Sequence, residues 1–153
     1  MAHVIGFGSV VWDLLGLLAD PALEGGSDPH FTGPRAIEAF DRIGGAGFSG
    51  AKVPVEDTGG EGVADAHWRE SVFDNELMTG FLNAGSNPLS EVSVASLWDM
   101  GYEVNLDGSD GFSIGPFPAA VAAAAIRFGD DLLRLPVYVV DEQGRVVNVI
   151  HGR

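Results

Sequence analysis

Residues 64–82 read ADAHWRESVFDNELMTGFL, and this stretch carries the side chains that decide the fold. It contains His67, one of four histidines, and a methionine, Met78, eleven residues later. Glycine-rich residues 59–62 precede it, so a dense run of polar, aromatic and apolar side chains follows a turn-forming segment. Such a run predicts a packed part of the chain with chemically specialised side chains.

The composition limits the class of protein. The chain has 153 residues and a hydrophobic content of 46%, which is enough for one domain with a core. Twenty-two acidic residues against eight Lys and Arg give a net charge of −14, which repels phosphate backbones and anionic membrane surfaces. We therefore expect no nucleic-acid partner. No apolar run approaches the roughly 20 residues of a membrane span, so we also expect no transmembrane segment.

The absence of cysteine restricts the metal chemistry. Neither a disulfide nor a thiolate metal site is available, so any zinc ion would need His, Asp or Glu ligands. Of the histidines, His30 follows Asp-Pro in a predicted loop and His151 lies in the last three residues, and we expect neither to be firmly held. His3 and His67 are the stronger candidates.

Glycine supplies 22 of the residues and falls in clusters, which predicts a loop-rich fold with short elements. Four segments favour helices, namely residues 1–5 before Gly6, residues 34–43, residues 90–100 and residues 119–128. For the third of these we expect Ser90 to act as the N-cap.

The C-terminal stretch LPVYVVDEQGRVVNVI predicts a β-hairpin with strands at residues 137–140 and 146–150. The expected class is therefore α+β. A soft boundary in residues 105–112, NLDGSDGF, divides a main unit, residues 1–106, from a tail, residues 107–153, with a short helix and the hairpin. The boundary loop lacks the ligand spacing of an EF-hand, which favours a solvated turn.

Two spacings link the candidate residues: Gly6 follows His3 by three residues, and Met78 follows His67 by eleven. In metzincin zinc proteases a helix carries H-E-x-x-H, a glycine three residues after the second His ends it, and a later methionine lies in a tight turn beneath the metal. The sequence resembles the leishmanolysin family of metzincins, in which the third histidine is delayed by an insertion. The segments with this resemblance are GFGSVVW (6–12), FTGPRAIEAF (31–40), VPVEDTGGEGVADAHWRESVFDNELMTGF (53–81) and NPLSEVSVASLWDMGYEVN (87–105).

The resemblance implies the C-terminal part of a metzincin-type zincin catalytic domain that hydrolyses peptide bonds in peptide or protein substrates. It implies that His3 and His67 are Zn²⁺ ligands, that Met78 is the Met-turn residue, and that Gly6 ends the active-site helix. The first His and the general-base Glu would then lie directly before Met1. We therefore expect a fragment that begins inside the active-site helix and is inactive as written. Members of this family are usually secreted or held at the cell surface.

Two alternatives remain open. The first is a non-catalytic metzincin-like scaffold that acts as a peptide-binding or interaction module. The second is an acidic domain whose Asp- and Gly-rich turns bind calcium. Glu70 and Glu76 are the candidates to replace the missing base, but we interpret them as paired with Arg69 or with a backbone amide. We interpret Trp12 and Trp68 as packing residues.

Overall fold

The computed structural model describes residues 2–47, 51–115, 126–127, 137–141 and 143–150. Within these residues the α-helices are α1 (Ser9–Leu14), α2 (Pro34–Arg42), α3 (Glu70–Phe73) and α4 (Glu91–Asp99). Short 3₁₀ helices cover Ala2–Ile5, Ala22–Glu24, Gly45–Gly47 and Leu106–Gly108. None of the helices in the described residues is long and apolar enough to cross a membrane.

The strands of the described residues form three small antiparallel sheets. The strands are β1 (Leu18–Ala19), β2 (His30–Phe31), β3 (Val53–Pro54), β4 (Phe81–Leu82), β5 (Ile126–Arg127), β6 (Val137–Val140) and β7 (Val146–Ile150). The first sheet has the order β1-β2-β3, β4 pairs with β5, and β6 pairs with β7. This mixture of helices and small sheets agrees with the predicted α+β class, and the predicted hairpin is confirmed.

Helices α2 and α4 pack against each other, and side-chain acceptors cap the first turns of both. The Ser90 side chain accepts a hydrogen bond from the Ser93 amide at 3.3 Å and so caps α4. Asp99, the last residue of α4, accepts hydrogen bonds from the amides of Arg35 and Ala36 at the start of α2. The predicted helices at residues 34–43 and 90–100 are confirmed to within one residue at each end.

Aromatic side chains form the centre of the core. The rings of Trp12 and Trp68 stack with their centroids 5.1 Å apart, and both side chains are fully buried. Phe7 and Phe31 contact both tryptophans edge-on, and Phe73 stacks on Trp68. The interpretation of the two tryptophans as packing residues is therefore confirmed.

Two predicted helices differ from the structure. The segment that precedes Gly6 is a 3₁₀ helix, Ala2–Ile5, and not the last turn of an α-helix; its end is set by the Gly6 amide, which donates to the carbonyl oxygen of His3 at 3.0 Å. The predicted helix at residues 119–128 is wrong at residues 126–127, because these form β5 and pair with β4. Residues 119–125 and 128 lie outside the described residues.

Candidate metal centre

The structure brings His3 and His67 together, although 64 residues separate them in the chain. Their Nε2 atoms lie 3.0 Å apart, and the two rings meet edge-on with centroids 4.6 Å apart. His67 is buried, with 2% of its surface exposed, whereas His3 is only partly buried. Of the two remaining histidines, His30 lies in β2 with its Nδ1 2.7 Å from the Asp28 carbonyl, and His151 is outside the described residues.

The other ring nitrogen of each histidine determines its tautomer. Nδ1 of His3 lies 2.6 Å from the carbonyl oxygen of Phe7, and Nδ1 of His67 lies 3.1 Å from the carbonyl oxygen of Val63. Because a carbonyl oxygen can only accept, each Nδ1 must carry the hydrogen and donate it. In the neutral rings, both Nε2 atoms therefore carry a lone pair.

Two lone pairs that face each other at 3.0 Å repel, and a proton or a metal cation shared by them removes the repulsion. Two nitrogens at 2.0–2.1 Å from a tetrahedral zinc ion lie about 3.3 Å apart, which is within a few tenths of an ångström of the observed separation. Metal-ligating histidines typically donate their other N–H to a carbonyl or carboxylate, as both rings do here. The residues present thus fit two of the ligands of a zinc ion.

Main-chain hydrogen bonds hold His67 in place from both sides. The His67 carbonyl accepts from the Glu56 amide at 2.9 Å, and the amide of the next residue, Trp68, donates to the Met78 carbonyl at 3.0 Å. Trp68 also forms bridges with Val55 on one side and with Thr79 on the other. His67 therefore directly precedes Trp68, which links the continuation of β3 to the turn that contains Met78.

Met78 lies in a tight turn, in which the Thr79 amide donates to the Glu76 carbonyl at 3.3 Å. Its side chain is 6% exposed and belongs to the hydrophobic core. The turn contacts the histidine site through the backbone of Trp68. A Met-turn residue and an ordinary core side chain would both occupy such a position. The Met-turn role of Met78 therefore stays a prediction.

Two glycines allow close packing around the segment of His3. Gly6 has φ +94°, and a Cβ added to it would lie 2.9 Å from Cγ2 of Val11. Gly8 has φ +120°, and its Cβ would lie 3.2 Å from Nδ1 of His3. The sequence predicted that Gly6 and Gly8 stop the first helix, but it gave no signal that Gly8 lies against His3.

The two glutamates considered as substitute bases are bound elsewhere. The fully buried Glu76 accepts from the amides of Met78 and Ser90, as the backbone-amide interpretation predicts, and burial raises the pKa of its carboxyl against these donors. Glu70 accepts from the Asn83 side chain, and burial also raises its pKa. Arg69 contacts neither glutamate in the described contacts, since its guanidinium donates to the Val55 and Pro29 carbonyls and pairs with Asp28.

A complete metal-binding set is not found in the part of the chain that the structure describes: no group of three or more His, Asp or Glu side chains there is arranged to hold a metal ion. The described residues therefore contribute two imidazoles and no carboxylate to the candidate centre.

Residues 1–110 match the family model described as Leishmanolysin, Peptidase M8. The match places the protein in a class of metallopeptidases. The chain belongs to the leishmanolysin family, which confirms the resemblance seen in the sequence. No curated protein and no solved structure matches the chain significantly.

Proposed function

We propose that the chain is part of a zinc-dependent metalloendopeptidase domain, in which His3 and His67 are two of the zinc ligands. The observation that carries the proposal is the pair of Nε2 atoms 3.0 Å apart, each on a ring whose Nδ1 is held by a carbonyl. The family supplies the activity class, and the geometry supplies two ligands of the right kind. Met78 and Gly6 are proposed as the Met-turn residue and the glycine that ends the active-site helix.

Zinc, when bound, supplies Lewis-acid activation of water and of the scissile carbonyl. The protein's own residues orient the ligands. The Phe7 and Val63 carbonyls hold both rings through Nδ1, so that Nε2 is the nitrogen of each ring that would ligate an ion. The burial of His67 keeps competing water away from its side of the site.

Peptide hydrolysis also needs a third protein ligand and a general base. In the described residues no carboxylate lies with the two histidines to act as that base. We therefore propose that the described residues alone do not hydrolyse peptides. Peptide or protein substrates, and a secreted or cell-surface location, are proposed from the family alone.

One observation favours a second candidate function. The described residues supply only two ligands, which would hold zinc weakly. A metzincin-like scaffold that binds peptides without cleaving them would not need a third ligand or a general base. The two candidates differ in whether catalysis appears once the ligand set is completed.

The first experiment measures Zn²⁺ binding by competition with a chromophoric chelator. We expect His67→Ala to raise the Kd for Zn²⁺ at least about tenfold, because it removes a ligand that the fold holds in position. His30→Ala is the matched control and leaves the Kd unchanged, since His30 contacts the Asp28 carbonyl. Equal Kd values for the wild type and His67→Ala would contradict the proposed site.

The second experiment completes the pattern. A variant with a helix-forming extension that ends in His-Glu directly before Met1 contains the full H-E-x-x-H sequence. We expect this variant to degrade an unfolded protein substrate, and a control with Gln in place of the added Glu to bind zinc without degrading it. Tight zinc binding without hydrolysis by either variant would favour the non-catalytic scaffold.

A further inference from the structure

Helix α4 is attached to the segment of His3 through Tyr102. The Tyr102 hydroxyl donates to the carbonyl oxygen of Ile5 at 2.7 Å, and Ile5 lies in the same 3₁₀ helix as His3. The Tyr102 amide donates to the Leu97 carbonyl, and the Gly101 amide donates to the Trp98 carbonyl, both at 3.0 Å. These two bonds form a Schellman motif, so the backbone of Tyr102 is locked onto the last turn of α4.

The other end of α4 is attached to the segment of His67 through Glu76. One carboxylate oxygen of Glu76 accepts from the Ser90 amide at 2.9 Å, from the Ser90 hydroxyl at 2.8 Å and from the Ser93 hydroxyl at 2.6 Å. The second oxygen accepts from the Met78 amide at 2.5 Å. Glu76 therefore joins the first turn of α4 to the Met78 turn.

A closed ring of hydrogen bonds extends this attachment to the residue after His67. The Trp68 amide donates to the Met78 carbonyl, and the Trp68 indole Nε1 donates to the Ser93 hydroxyl at 2.8 Å. Ser93 in turn donates to Glu76, which accepts from Met78. Trp68 is thus tied to the turn by its backbone and to α4 by its side chain, so His67 has little freedom to move relative to the helix.

We propose that α4 sets the distance between the two histidines, with Tyr102 and Glu76 as the positioning residues at its two ends. A single α-helix is rigid along its axis, so fastening one histidine segment to each end fixes their separation. Neither positioning residue ligates a metal; each acts through the segment that carries a histidine. The inference rests on the proposed function, because the separation matters only if both rings bind one ion.

The test at the His3 end is Tyr102→Phe, which removes one hydroxyl from a side chain that is 43% exposed and so leaves the core intact. Tyr138→Phe is the matched control, since Tyr138 lies in β6 of the hairpin and is 59% exposed. We expect Tyr102→Phe to raise the Kd for Zn²⁺ about tenfold, the size of effect typical of residues that support a ligand. Tyr138→Phe should leave the Kd unchanged.

A metal-free readout separates this inference from the proposed function. Long-range ¹H–¹⁵N correlation spectra of the imidazoles report ring environment and tautomer, and we expect Tyr102→Phe to shift the His3 signals and Glu76→Gln the His67 signals. Phe40→Leu, at a buried core position of α2, is the control for general destabilisation and should shift neither.

If the wild type binds Zn²⁺ and Tyr102→Phe binds it equally well, the inference is overturned while the metal site stands. If the wild type binds no Zn²⁺, the proposed function fails, and the metal-free spectra alone decide whether Tyr102 positions His3. Shifted His3 signals in Tyr102→Phe then support the positioning role, and unchanged signals overturn it.

Discussion

Replacing Glu76 by Gln tests the hydrogen-bond ring beneath the histidine site most directly. Four donors converge on the two carboxylate oxygens, three on one and one on the other, so the side chain acts only as an acceptor. A glutamine keeps one oxygen and turns the other into a donor. The glutamine side chain is expected to point its oxygen at Ser90 and Ser93, where three donors converge. Its amide nitrogen then faces the Met78 N–H, so that two donors meet.

The cost of this change follows from the contacts. The Met78 amide loses its partner, and a buried donor left unsatisfied costs about 1–3 kcal/mol. The three retained bonds lose their charge assistance, which lowers each by roughly 1 kcal/mol, while the neutral amide is less costly to bury than the carboxylate. The net expected loss in the free energy of unfolding is about 2–4 kcal/mol.

Urea unfolding followed by tryptophan fluorescence measures this loss, because Trp12 and Trp68 lie in the core. Glu38→Gln is the matched control at an exposed position of α2, and should change the free energy of unfolding by less than about 0.5 kcal/mol. A Glu76→Gln variant within 0.5 kcal/mol of the wild type would refute the reasoning.

Two further predictions concern other residues near the site. Burial raises the pKa of Glu70, so its contribution to stability is present below the ordinary glutamate pKa and is lost as the pH rises through the folded-state value. Glu70→Gln should therefore be more stable than the wild type at pH 7, by a few tenths of a kcal/mol after solvent screening. This gain in stability should vanish at pH 4. A Glu70→Gln variant that is less stable than the wild type at pH 7 in urea unfolding would contradict the prediction. Gly6→Ala should cost about 1–3 kcal/mol, measured as a fall in Tm, because alanine at φ +94° is strained and its Cβ meets Val11. Gly85→Ala, at φ +105° with open space around it, is the control for the backbone strain alone, and an equal fall in both variants would rule out the steric contribution.

The sequence predicted the elements whose signals are local. Pro34 at a first turn and Ser90 at an N-cap gave α2 and α4, and the β-branched runs around a glycine turn gave the hairpin. Strands β1, β2 and β3 have two residues each, so no alternation of side chains was available to reveal them. Helix α1 contains adjacent valines, Val10 and Val11, which do not favour a helix on their own. The division at residue 106 stays a prediction.

The sequence predicted which residues form the candidate site, but not the contacts that they make in the folded chain. The spacing of His3, Gly6, His67 and Met78 identified the residues through the family pattern. The tautomers were not predictable, because they depend on which carbonyls the folded chain brings to each Nδ1. The contacts of Glu76 with Ser90 and Ser93 span 14 and 17 residues, and no local pattern signals such tertiary hydrogen bonds.

The pairing of His3 with His67 has a consequence for a chain without cysteine. A cation bound by both rings would close a loop of 64 residues, much as a disulfide closes one. For a loop of that length, the restriction of the unfolded chain corresponds to about 4 kcal/mol at 25 °C. The ion would then serve as a reversible cross-link, and the thermal stability of this domain would follow the free zinc concentration of its surroundings.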